Sequence, residues 1–230
     1  MFDETVNTAI RRAARAADLD AAALFALVEV ESGGRFFTKM DGRAEPPIRF
    51  EGHYFDRRLQ GASREAAQAA GLASPVAGAV ANPRTQAARW ALLTRAAAID
   101  RKAAYESTSW GVGQVMGAHW AWLGFADVEA LVAEARSGIE GQLRLMLRYV
   151  DKAGLAPALR NRDWTAFARG YNGPGYRRNA YDRKLAAAYR RHAGLAIGTF
   201  EELDKDEPPA PSADPLHRRV LNWLGRQVGR

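Results

Sequence analysis

The chain has 230 residues, enough for one large domain or for a domain with an appendage, and it can bury a proper core. It contains no cysteine, which excludes disulfides and thiolate metal sites. A net charge of +7 and a pI near 10 favour an anionic partner: nucleic acid, an anionic membrane face or an anionic cell-wall polymer. There is no basic stripe interleaved with aromatics and no zinc-finger or RNA-recognition signature, so no nucleic-acid partner is expected.

The start, "MFDETVNTAIRRAARAADLD", is polar and then amphipathic, so no signal peptide is read there. Nor is there a run of about twenty apolar residues to suggest a membrane span. Ala and Leu dominate with few β-branched runs, which predicts a mainly α fold with helices over 3–17, 20–32, 83–105, 126–136, 139–152, 163–170 and 179–193. Asn82 before Pro83 reads as a cap with proline at the first helical position, and Asp163 as the cap of "WTAFARG". Between 35 and 51 the helical pattern breaks. Asp41-Gly42 is a turn signal flanked by aromatic and β-branched residues, which predicts a small β-hairpin whose regularity Pro46-Pro47 limits. Residues 61–82 read as a helix and loop.

The end of the chain differs. Residues 199–215 hold six acids, one Lys and four prolines without apolar periodicity, the pattern of a solvated linker. Residues 216–230 place Leu216, Val220, Trp223, Leu224 and Val228 at helical spacing with four arginines and no acid. They read as a basic amphipathic helix, suited to an anionic membrane surface or to docking on the domain. The expected division is therefore a domain over 1–198, a linker over 199–215 and a helix over 216–230.

The chemistry starts from "ALVEVESGGRFF" (26–37). A buried helix finishes there with two carboxylates, Glu29 and Glu31, although a C-terminal turn prefers cations. At 100° per residue Glu31 lies between Leu24 and Leu27 on the apolar face, while Glu29 lies round toward Phe25 and the alanines. A carboxyl at such a position is partly desolvated, which raises its pKa toward what a general acid needs near neutrality. A structural reading, an ion pair with Arg or a loop cap, stands beside the catalytic one. In "IRFEGHYF" (48–55) the alternation puts Ile48 and Phe50 on one face and Arg49 and Glu51 on the other, so Glu51 can face Glu31 across a groove. Asp41 and Glu45 are rivals for that second carboxylate. Two carboxylates flanking a sugar bond are the working parts of glycoside hydrolysis. The four histidines lack an i, i+4 ligand pair, so no metal site is expected, and His53, beside Glu51, reads as a structural or cleft-edge hydrogen bonder.

Four stretches, "VESGGRFF" (30–37), "IRFEGHYF" (48–55), "SWGVGQVMG" (109–117) and "WTAFARGYNGPGY" (164–176), together resemble the phage-type N-acetylmuramidase family over about residues 10–190. The resemblance implies a lysozyme-like multi-helix domain with a small β-element forming one cleft wall. It implies Glu31 as the general acid and Glu51 as the second carboxylate. Gln114 and Met116 would stand at the cleft wall, and Tyr171 and Asn172 would orient acid and sugar. Met116 also reads as filler, Trp110 and Trp120 as core residues, and Tyr171 as a buried aromatic seeking a partner.

The implied activity is cleavage of the β-1,4 bond between N-acetylmuramic acid and N-acetylglucosamine in peptidoglycan, with no cofactor. The alternatives are a lytic transglycosylase using Glu31 alone, and a non-catalytic wall-binding or virion protein on the same fold. As a lysis enzyme of phage or prophage type, the chain is expected to be a monomer made in the cytoplasm without a signal peptide. It would reach the periplasmic wall through a holin-type pore.

Overall fold

The computed structural model describes residues 2–40 and 42–196, and residues 1–194 gather into one compact unit. Asp41, the 199–215 stretch and the 216–230 segment lie outside the described residues.

Helix α1 (Glu4–Ala16) opens where the Asp3 carboxylate accepts from Val6 N at 2.9 Å. Helix α2 (Ala21–Ser32) opens in the same way on Asp20, which accepts from Ala22 N at 2.8 Å. Every residue from Ala22 to Val28 is buried, so α2 is a central helix, apolar all round until its last turn. It ends because Gly33 takes the left-handed conformation (φ 56°) and returns its N–H to Glu29 O at 2.9 Å.

Strands β1 (Thr38–Met40) and β2 (Arg43–Glu45) form the expected hairpin, with Thr38 opposite Glu45. The chain from 46 onward leaves it. Strand β3 (Ile48–Phe50) belongs to a second antiparallel sheet, ordered β3-β4-β5 with β4 (Thr108–Trp110) and β5 (Val115–Met116). Pro46 and Pro47 cause the parting, for neither has an N–H to give a ladder. Their carbonyls accept instead from Trp90 Nε1 at 3.0 Å and Gly111 N at 2.9 Å.

Helices α3 (Gly52–Arg58) and α4 (Gly61–Ala69) follow, α4 within the 61–82 stretch read as helix and loop. The expected helix over 83–105 is two: α5 (Gln86–Ile99) and α6 (Arg101–Glu106). Asp100, extended at φ −152°, ends the first and caps the second by accepting from Ala103 N at 2.8 Å. Asn82 is not a helix cap; Thr85 is, accepting from Ala88 N at 3.2 Å. The Asn82 amide instead pairs with both backbone groups of Phe50, at 3.1 and 2.7 Å. Gln86 accepts from Ile48 N at 2.9 Å and Arg89 donates to Ile48 O at 3.2 Å. Side chains thus finish the outer edge of β3 and leave no open strand there.

Helix α7 (Val128–Arg136) starts on Asp127, and α8 (Ile139–Lys152) has the bounds its periodicity predicts. A short α9 (Ala156–Arg160) precedes α10 (Trp164–Asn172), which Asp163 caps as expected, accepting from Ala166 N at 2.9 Å. Helix α11 (Tyr181–Ala196) closes the described part. The described residues form two cores. One packs Ile10, Leu24, Leu27, Leu143, Met146 and Phe167; the other packs Ile48, Phe50, Leu93, Trp110, Leu131 and Leu145. Leu145 and Met146 are neighbours on α8, so that helix serves both cores, and Glu31 stands in the last turn of α2, the helix at the heart of the first.

Candidate active site

Glu31 stands in the last turn of α2, largely withdrawn from solvent. Among the described residues it has no ion-pair partner. Burial raises its carboxyl from 4.5 to about 7, opposed only by a hydrogen bond that Asn172 Nδ2 donates to Oε1 at 3.4 Å. Asn172 is the last residue of α10, and its Oδ1 is buried without a hydrogen-bond partner among the described residues. Its neighbour Tyr171 donates its hydroxyl to Gly113 O at 2.8 Å. Burial, then the nearby Glu31 charge, push that phenol well above its ordinary value, so it stays a donor. Burial and Glu31 also raise Tyr181, at the start of α11. A carboxyl among phenols and an amide, with no cation, keeps its proton near neutrality.

Glu29, two residues earlier, has the opposite surroundings. Burial pushes its carboxyl up, but Arg191 and the His192 ring, whose Nε2 lies 2.7 Å from Oε2, outweigh it and hold Glu29 below its ordinary value. The helical wheel thus separates the two acids correctly. Glu29 ties α2 to α11, and Glu31 faces Asn172.

The 111–116 loop, which carries the predicted Gln114, meets Tyr171 through Gly113, and Met116 follows at its end. A Cβ on Gly113 would stand 2.8 Å from Met146 and 3.1 Å from the Tyr171 hydroxyl, so only glycine lets the loop approach α8 and α10 this closely. Gln114 has φ 49°, unusual for a residue with a side chain. Its Nε2 donates to Gly111 O at 2.8 Å and to Pro47 O at 3.4 Å, which locks the loop onto the start of β3. Met116, half-buried on β5, pairs with Ser109 of β4. Gln142 of α8, only 1 % exposed, accepts from Val112 N and donates to Phe36 O, both at 3.1 Å. One side chain thereby fastens the 111–116 loop to the segment that follows Glu31.

Glu51 lies at the end of β3 and the start of α3. Its carboxylate accepts from Arg49 Nε at 2.6 Å and has His53 Nδ1 3.7 Å away. No hydrogen bond among the described residues joins it to Glu31, Tyr171 or Asn172. Of its rivals, Glu45 is buried and ion-paired with Arg136, whose guanidinium lies over the Trp90 ring, so it is part of the packing. Trp110 is fully buried, and Trp120 donates to Glu106 at 2.9 Å, as core residues do. Among the described tryptophans Trp122 is the one that stays open, at 45 % exposure. Its ring meets Tyr149 edge-on, and Tyr149 meets Tyr171 in the same manner. Among the described residues no group of three His, Asp or Glu side chains is arranged to hold a metal ion.

The family model described as N-acetylmuramidase matches residues 20–193, which takes in Glu31, Glu51, the 111–116 loop and Asn172. The chain belongs to the N-acetylmuramidase family. This muramidase is also similar to the crystal structure of the endolysin of Burkholderia phage AP3. The identity is 36 %, the TM-score 0.70, and the match covers 82 % of this chain and 71 % of that one. No curated protein matches it. The mainly helical, lysozyme-like fold with its small β-element is thus the one expected, and the muramidase is a glycoside hydrolase acting on peptidoglycan.

Sequence reasoning missed three residues of this region. Gln142 had a legible signal, since it shares the face of α8 with Ile139, Met146 and Val150, where a buried amide asks for partners. Tyr181 and Trp122 carried none, because an aromatic at helical spacing reads as core.

Proposed function

We propose that this muramidase cleaves the N-acetylmuramic acid–N-acetylglucosamine bond with Glu31 as the general acid, and serves as a phage or prophage lysis enzyme. The observation that carries this reading is a carboxyl raised to about 7 by burial, without an ion-pair partner among the described residues. Such a group is protonated when substrate binds near neutral pH and gives its proton to the departing glycosidic oxygen. Asn172 aims it, and the Tyr171–Gly113 hydrogen bond holds Asn172 in place. Gln114 and Met116 form the facing wall against the sugar. Glu51 is the second carboxylate, balancing the positive charge that develops on the sugar ring or activating water. The phage-lysis role rests on the likeness to a phage endolysin. It implies a monomer acting on the wall in the periplasm after release from the cytoplasm through a holin-type pore, with residues 216–230 touching an anionic membrane face. Among the described residues no helix is long and apolar enough to cross a membrane.

One observation favours a second reading. Both oxygens of Glu51 face protein groups, Arg49 and His53, which suits a lytic transglycosylase relying on Glu31 alone. Mass spectrometry of digested peptidoglycan separates the two. With the parent protein, products ending in reducing N-acetylmuramic acid are expected, and they should be lost in both Glu31→Gln and Glu51→Gln. Anhydro-muramic products, with Glu51→Gln still active, would establish the transglycosylase instead.

A further inference from the structure

Next to Asn172 the chain builds a cavity of about 210 Å³. It is lined by Asn172, Gly175, Tyr176, Arg178, Asn179 and Tyr181. Two of these tie it to the acid: Asn172 by its hydrogen bond to Glu31, and Tyr181 by its proximity to the Glu31 charge. The buried, unpartnered Oδ1 belongs to the same Asn172. The lining is polar and carries no acid.

Its charge is one-sided. From 174 to 184 the chain has Arg177, Arg178, Arg183 and Lys184 against Asp182. Arg177 is held by Tyr176, donating to its hydroxyl at 3.1 Å, and the Lys184 ammonium lies over the Tyr181 ring. Arg178 is exposed at the cavity and has no ion-pair partner among the described residues. A guanidinium presented beside amides and phenols is built to take a carboxylate. The two sugars of peptidoglycan differ in one respect that such a group can read. N-acetylmuramic acid carries a lactyl ether at O3, extended by an acidic peptide, whereas N-acetylglucosamine carries a neutral hydroxyl.

We infer that the 172–181 cavity is the subsite for the lactyl-peptide side chain of N-acetylmuramic acid, with Arg178 receiving its carboxylate and Asn172 and Asn179 its amides. This rests on the muramidase reading and adds the feature that tells the enzyme which of the two sugars lies beside Glu31. Arg178 acts by binding, so its effect falls on the preference between substrates.

The test compares soluble uncrosslinked glycan bearing native stem peptides with the same glycan after its carboxyl groups have been converted to amides. For each, kcat/KM is measured with the parent, Arg178→Gln, Arg178→Lys and Arg183→Gln. The parent should prefer the native glycan. Arg178→Gln should lower that preference about fivefold, the worth of a partly exposed ion pair, and Arg178→Lys should retain most of it. Arg183→Gln removes the same charge from outside the cavity and should keep the parent's preference. Equal losses in Arg178→Gln and Arg183→Gln would mean general attraction by the positive surface and would overturn the subsite. So would an unchanged preference in Arg178→Gln. A parent that releases no reducing N-acetylmuramic acid from either glycan would overturn the hydrolase reading itself, and the subsite with it.

Discussion

Glu31 trades stability for a proton held at neutral pH. Its folded-state pKa, about 7, lies above the ordinary 4.5. Between those values the folded chain holds a proton that the unfolded chain has released, so its contribution is intact below about pH 4.5. It is lost as pH rises through 7, and above that the penalty is constant. A shift of that size corresponds to about 3 kcal/mol, and partial solvent contact lowers it to about 2 kcal/mol. Glu31→Gln removes the ionisable group while keeping the shape. Urea denaturation should therefore find the variant about 2 kcal/mol more stable than the parent at pH 9 and nearly equal at pH 4. Equal stability at both pH values would mean that Glu31 is not desolvated in the folded protein. Arg191 and His192 give Glu29 the reverse dependence. Its lowered pKa contributes stability above the ordinary carboxylate range, and that stability is lost as pH falls through the folded value.

At the scale of elements, the site depends on how three segments far apart in sequence are fastened together. Gln142 joins two of them, the 111–116 loop and the chain after Glu31, through a buried amide. Replacing it with Ala leaves Val112 N and Phe36 O buried without partners and opens a cavity. The expected cost is about 3 kcal/mol, with kcat falling more than KM rises because the Tyr171 contact on Gly113 loosens. Calorimetry and steady-state kinetics on the same sample check both halves. The sequence made some of this legible. Asp163 capping α10 and the bounds of α8 follow from local signals that nothing overrides, as does the placing of Glu31 on the apolar side of α2. Asn82-Pro83 has every local mark of a helix start, yet tertiary need takes the amide to Phe50, where an unfinished strand edge offers two bonds at once. The β3-β4-β5 sheet was illegible for a related reason. It pairs residues 48–50 with 108–110, and no local pattern announces a partner sixty residues away.

At the scale of the molecule, the described residues form two cores that share α8, and Glu31 stands in the last turn of α2, whose apolar residues fill one of them. The recurring motifs made Glu31, Tyr171 and Asn172 legible together; in the fold Asn172 donates to Glu31, and Tyr171 donates to Gly113. Glu51 was equally legible as a motif, yet its neighbours in the fold are Arg49 and His53. The net charge of +7 suits a glycan whose peptides are acidic, and Arg178 and Asn172 line one cavity. The proposed chemistry requires Glu31 to be a neutral acid at working pH. The most direct measurement is the pH dependence of kcat/KM on soluble peptidoglycan for the parent and Glu31→Gln. The parent should lose activity above about pH 7, tenfold per unit once past it, and Glu31→Gln should fall at least about a hundredfold. A parent rate that holds level to pH 9, or a Glu31→Gln variant close to parental activity, would contradict it.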